Sequence, residues 1–352
     1  MNWQALGSIS LLGRLVPLLA LAAGCAGAGR AGKPAAPPVA TETTNPTPAQ
    51  TPPENPTPHP TELPLVPKEL DPAVDKYPAP EFAYLDPQAP RAAHLVVYLV
   101  GANNKPDRGR SMGEFLAGLG FQVLVPGYAN DYDIRKLCMP ADTPDPDCHG
   151  KLRMEALEGV DHSPHIAVAP PDSLETRIVQ MLRALDKRAP QGWDKVSWGK
   201  FIAGDKPRWD QIIVAGHSHG ASSAGLIGKV RKVHRVVMLS GPFDNRGGEP
   251  AAWTSKAPAT PPDRVFGFSH TQEEQYAGHI KDWGAMGLPA LGPIVVVESA
   301  QPPFAGSHQL VTSLPPANGG NAHGTTAAGK AAPLQPDGHY RYEAAWRYLF
   351  GI

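Results

Sequence analysis

Beyond about residue 80, short apolar runs alternate with stretches of helical period. Six runs stand out: "HLVVYLV" (94–100), "FQVLVP" (121–126), "QIIVAG" (211–216), "RVVMLS" (235–240), "RVFGFS" (264–269) and "PIVVVES" (293–299). Each is short, rich in β-branched residues and almost without polar alternation, as expected of strands buried on both faces. The stretch "SLETRIVQMLRALDK" puts Leu174, Ile178, Met181, Leu182 and Leu185 on one stripe behind an Asp172 or Ser173 cap, which predicts a helix. "ASSAGLIGKVRK" (221–232) is also compatible with a helix. The C-terminal "HYRYEAAWRYLFGI" repeats Tyr342, Ala345, Trp346 and Leu349 at helical spacing and is expected to pack on the last strand. Strand and helix in alternation predict an α/β fold, a doubly wound, mostly parallel sheet with helices on both faces. Segment 130–170 is rich in Pro, Asp and Gly and has no period, so it reads as an excursion that can cap an active site.

The first 66 residues have a different character. Arg14 is followed by the apolar run "LVPLLALAAG", which ends at Cys25. This is the pattern of an export signal, and the run is shorter than the ~20 residues a membrane span needs. The small residues before Cys25 resemble the lipobox of bacterial lipoproteins, which implies signal removal and lipid on Cys25. Ala26, where aspartate would favour the inner membrane, leans toward the outer one; without lipid the protein would be secreted. From Pro34 to Pro67, 12 of 34 residues are proline and large apolar residues are almost absent before Leu63, so no core can form there. The expected organisation is a signal over 1–25, a tether over 26–66 and one domain over 67–352.

Length and composition agree with this. The chain has 352 residues, 41% of them hydrophobic, enough for one large core. The formal charge of −1, with no basic run, offers no electrostatic footprint for nucleic acid, and a monomer is expected. If Cys25 carries lipid, Cys138 and Cys148 remain, and an oxidising compartment favours a disulfide between them.

The chemistry concentrates at "IIVAGHSHGASSAG" (212–225). A buried strand runs into G-x-S-x-G and a helix-compatible stretch follows, which is the context of a nucleophile elbow. Gly216 and Gly220 would let the backbone turn tightly and expose the Ser218 hydroxyl. From this point the chain resembles the α/β-hydrolase superfamily over roughly residues 80–352, and within it a branch of bacterial secreted hydrolases. Many members carry Gln after the nucleophile and glycine two places later, where this chain has His219 and Ala221. The resemblance implies an oxyanion hole from the backbone N–H of His219 and from the loop "VGANNKP" (100–106), with Ala102 the expected donor and Asn103 next. Metal is not expected: His217 and His219 flank the serine, but no further set of ligands suits zinc.

A serine hydroxyl needs an imidazole to take its proton and a carboxylate to orient that imidazole. The order in this fold is serine, acid, histidine. The acid is expected just past "RVFGFS", at Glu273, with Glu274 and Asp244 as alternatives. Of the later histidines, His279 falls in a predicted helix and His339 at a helix start. His308, in the loop after "PIVVVES", is taken as the base; His323, in "NAHGTTA", is the alternative. The expected function is ester cleavage through an acyl-enzyme on Ser218, with no cofactor, on a small-molecule, lipid or polymer ester. Trp193, Trp198 and Trp209 either line an apolar acyl pocket or pack in the core. The rival reading is a surface-binding lipoprotein on a hydrolase scaffold that has lost catalysis.

Overall fold

A computed structural model describes residues 59–352. The signal segment, Cys25 and the tether up to residue 58 lie outside the described residues. Nine strands form one sheet: β1 (Thr61–Leu65), β2 (Glu81–Leu85), β3 (Leu95–Leu99), β4 (Gln122–Val125), β5 (Ile212–His217), β6 (Arg235–Leu239), β7 (Val265–His270), β8 (Ile294–Val296) and β9 (Gln309–Thr312). Their order is β1-β2-β4-β3-β5-β6-β7-β9-β8, parallel from β4 to β8, with β1 and β2 antiparallel at one side. The helices of five residues or more are α1 (Arg110–Gly118), α2 (Ile134–Cys138), α3 (Cys148–Glu158), α4 (Leu174–Arg188), α5 (His219–Val230), α6 (Tyr276–Ala285) and α7 (Glu343–Phe350). This is the expected α/β architecture with a mostly parallel, doubly wound sheet.

The core is the sheet itself. β2 to β5 and β7 are almost wholly buried, and each fully buried Val, Leu or Phe is worth about 1.5–3 kcal/mol. On α4, the apolar stripe predicted from the sequence is buried, and the Ser173 hydroxyl caps the helix by accepting the Thr176 N–H. Trp193 and Trp198 stack with their centroids 5.5 Å apart, deep in the same core. Trp193 donates to the Thr61 hydroxyl at 2.8 Å and Trp209 to Glu175 at 3.1 Å. All three precede β5, so they sit away from Ser218, which follows that strand. They are core residues and line no acyl pocket.

Two boundaries differ from expectation. β1 lies inside the stretch read as tether, because "TELPL" completes an edge strand in which its one proline, Pro64, costs little. "PIVVVES" is a strand only over its first three core positions; Val297–Ser299 turn into a short 3₁₀ helix, and the strand that follows, "QLVT", is β9. β9 is inserted between β7 and β8, which places the latter at the sheet edge.

The excursion over 130–170 holds α2 and α3. Cys138 and Cys148 are joined by a disulfide with their Cα atoms 5.5 Å apart, closing a short loop between the two helices. The excursion is also tied down from within. Arg153, on α3 and 3% exposed, makes two hydrogen bonds to Asp244, at 2.6 and 2.7 Å, and reaches the carbonyl of His219 at 3.2 Å and the Ser223 hydroxyl at 2.9 Å.

Candidate active site

In this sheet the strand order reverses at β3, with β4 on one side and β5 on the other. Crevices in open α/β sheets form at the carboxyl ends of the strands beside such a reversal. The loop after β3 begins at Val100 and Gly101, and the turn after β5 holds Ser218. A Cβ built on Gly101 would lie 3.4 Å from that of Ser218, so the two segments touch.

Ser218 has φ +59° and ψ −121°, a conformation that costs a side-chain-bearing residue about 1–3 kcal/mol. The chain around it accepts this because two positions have no side chain. A Cβ on Gly216 would fall 2.3 Å from the carbonyl oxygen of Gly220, and one on Gly220 would fall 2.1 Å from that of Leu99. No larger residue fits either place. The Ser218 N–H is anchored to the carbonyl of Leu239 on β6 at 2.9 Å, and the side chain remains half-buried at the start of α5.

The first N–H groups of a helix have no intrahelical partner, and no side chain caps α5. The His219 N–H therefore has no partner among the described residues. In the facing loop, the Ala102 N–H has no backbone partner among the described residues, whereas the Asn103 N–H is taken by the carbonyl of Asn130 at 3.0 Å. Asn130 braces the loop through its amide, which donates to the carbonyls of Gly101 and Asn104 at 2.9 Å each. Of the two candidates in "GANN", Ala102 is the one with a donor to spare. The imidazole of His219 points elsewhere. It is buried against Tyr128 and Tyr132, with centroids 6.0 and 5.1 Å away, and burial together with nearby Arg153 holds its pKa well below the usual histidine value.

Glu273 and His323 meet. Nδ1 of His323 is 2.7 Å from Oε2 of Glu273, and its Nε2 has no protein partner among the described residues. The other carboxylate oxygen, Oε1, accepts from the hydroxyls of Ser240 at 2.7 Å and Ser269 at 3.2 Å and from the N–H of His270 at 3.0 Å. Burial acts to raise the Glu273 pKa, but the His323 hydrogen bond, neighbouring His279 and the Ser240 hydroxyl outweigh it and hold it at about 2. The main chain of His323 is fixed as well: its carbonyl accepts from Nε2 of His217 at 2.7 Å and lies 2.9 Å from the Ser240 hydroxyl oxygen. Because His217 immediately precedes Ser218, this bond ties the histidine loop to the serine turn. His217 is itself kept neutral, its pKa lowered to about 4 by burial and by His323.

The other expected residues lie apart from this cluster. His308, taken as the base, is at the opposite end of the sheet. It precedes β9, a strand parallel to β7, so it sits at the amino edge, where its Nδ1 bonds the carbonyl of Val265 at 2.9 Å and its ring stacks on Phe266 at 4.0 Å. The expectation of His308 is corrected because the chain runs through one more strand than its apolar pattern suggests; the loop that returns to the serine edge is the one after β9, which carries His323. Glu274 is exposed and has no hydrogen-bond or ion-pair partner among the described residues. Asp244 is wholly buried in its ion pair with Arg153 and also accepts from the Trp253 indole at 2.9 Å, so it braces the fold. His279 bonds the Ser269 hydroxyl at 2.8 Å, and exposed His339 meets Glu343 at 3.3 Å near the start of α7. From the sequence, His217 is considered only as a metal ligand, and Ser240 and Arg153 are given no role. Ser240 and His217 sit at the carboxyl ends of parallel strands, and that position was the available signal for both.

Among the described residues, no three His, Cys, Asp or Glu side chains gather in a way that could hold a metal ion, and no helix is long and apolar enough to cross a membrane. A cavity of about 830 Å³ opens beside the serine turn, with Gly101 and His217 in its wall.

The Glu273 pairing has a pH signature. Its folded pKa lies below the ordinary 4.5, so the stability it contributes is complete above about 4.5 and is lost as pH falls toward about 2. Glu273→Gln protein is expected to be less stable than the unaltered protein at neutral pH by about 3 kcal/mol, the gap closing as the solution is acidified through that window. Urea unfolding across the range measures it; a gap independent of pH would contradict the assignment.

No protein-family model matches the chain, and no curated protein sequence matches it.

Proposed function

We propose that the protein is a serine hydrolase of the α/β-hydrolase kind, cleaving a carboxylic ester through an acyl-enzyme. The observation that carries this is the strained, half-buried Ser218 on a strand-to-helix turn, with a His323–Glu273 pair bound to the residue beside it. Ser218 Oγ attacks the ester carbonyl while Nε2 of His323 takes its proton. Glu273, ionised and bonded to Nδ1, holds the imidazole in the tautomer that presents a bare Nε2 and stabilises the imidazolium that forms. The N–H groups of His219 and Ala102 receive the oxyanion, a contribution of about 3 kcal/mol per donor in such sites. His323 returns the proton to the leaving alcohol, and water then repeats the cycle on the acyl-enzyme. No cofactor enters the scheme. The signal pattern and Cys25 support a place in the cell envelope, held by lipid at the end of a proline-rich tether.

A fluorophosphonate probe tests the reading directly. Folded protein is expected to gain one covalent adduct, located on Ser218 by peptide mass spectrometry and absent from Ser218→Ala protein. Folded protein that fails to react would overturn the proposal and leave a scaffold that binds without turnover.

A further inference from the structure

The loop from Gly101 to Lys105, which touches the serine turn at Gly101, is flanked by two cavities. The first, of about 830 Å³, has Arg108, Lys330 and His217 in its wall; the second, of about 580 Å³, has Lys76 and Lys105; Asn104 belongs to both. Either volume can admit a ligand of metabolite size. Their charge is uneven. Lys76, Lys105, Arg108 and Lys330 have no carboxylate within ion-pair distance among the described residues, and Lys76 is bonded only to the carbonyl of Ala167, at 2.6 Å. Against these four cations the two cavities contain Asp107 and Asp131. Arg110, also in the first wall, is neutralised by Glu62 through two bonds of 2.9 Å. A chain with a formal charge of −1 thus gathers a positive excess in the walls on both sides of the loop that touches its serine turn. Glycine and alanine, such as Gly320, Gly324 and Ala328, make up much of the larger cavity's wall, and Val100 and Tyr98 are its only sizeable apolar side chains, little surface for a long acyl tail.

We infer that the substrate is an anionic ester, one that bears a carboxylate on its acyl or its alcohol part. This rests on the serine hydrolase reading and narrows it. The cations on the rim raise the local concentration of a negative ester and hold its charged end while the carbonyl meets Ser218. Exposed charges are screened by salt, so the preference is expected to be salt-dependent.

Two matched pairs of esters test this. The para-nitrophenyl half-ester of adipic acid is compared with para-nitrophenyl hexanoate for charge on the acyl side, and para-acetoxybenzoate with its methyl ester for charge on the alcohol side. The expected result is a kcat/KM about tenfold higher for the charged member of at least one pair, an advantage that shrinks at high salt. In Arg108→Glu/Lys330→Glu protein, and in part in Lys330→Ala, the ratio of charged to neutral rates falls; thermal melts verify that the variants are folded. Equal or better turnover of the neutral member in both pairs overturns the inference and leaves the hydrolase reading standing, as does a preference indifferent to salt and to the double variant. Absence of turnover of all four esters, together with absence of fluorophosphonate labelling, removes the hydrolase reading and this inference with it.

Discussion

His323→Ala protein is expected to stay folded and to lose about 10³- to 10⁴-fold or more in kcat/KM on an activated ester, whereas His308→Ala protein is expected to keep nearly all of it. The two histidines separate so widely because they occupy opposite edges of the sheet. His323 is tied to the residue beside Ser218 through its carbonyl, its Nε2 has no protein partner among the described residues, and its Nδ1 is bound to Glu273 at 2.7 Å. His308 spends its Nδ1 on the carbonyl of Val265 and its ring face on Phe266. Loss of that hydrogen bond should cost about 1 kcal/mol of stability and no chemistry. Initial-rate kinetics on the two purified variants, with circular dichroism to verify folding, is the measurement. A His308 variant as inactive as the His323 variant would refute the assignment.

The largest effect on stability is expected at Asp244. Its carboxylate and the guanidinium of Arg153 are both removed from water and satisfied mainly by each other, so removing one leaves the other buried without compensation. Asp244→Ala is expected to destabilise the protein by about 3–5 kcal/mol in urea unfolding. The orphaned Arg153 would also lose its fixed grip on the His219 carbonyl and the Ser223 hydroxyl, at the first turn of α5. A loss below about 1 kcal/mol would mean that the ion pair is not buried as described. The same geometry explains why Asp244, in sequence a plausible acid just past a strand, is unfit for the catalytic role: both of its oxygens are already engaged.

Six strands, the long helix before β5 and the serine turn could be read from the chain because each has an unambiguous local signal: a β-branched run, an apolar stripe, a pair of glycines. The disulfide followed from cysteine parity. What escaped was set by tertiary placement. "QLVT" is too short to stand out among its neighbours, and it becomes a strand through pairing with β7 and β8. Missing it moved the expected base from the loop after β9 to the residue before it. "TELPL" was hidden by the proline density around it, since nothing local distinguishes a proline on an edge strand from one in a tether. Glu273 was legible because it follows a strong strand directly. Arg153 was not: it lies 91 residues from its partner Asp244, in a stretch with no period of its own.

The antiparallel register at the side of the sheet fixes where the folded body is entered. Thr61 pairs with Leu85, which lies at the amino edge of the parallel strands, so β1 begins on the face remote from Ser218 and runs toward it. A bead or carrier domain coupled at His59 would therefore hold the folded body by the sheet edge remote from Ser218 and leave the edge that carries the serine turn uncovered.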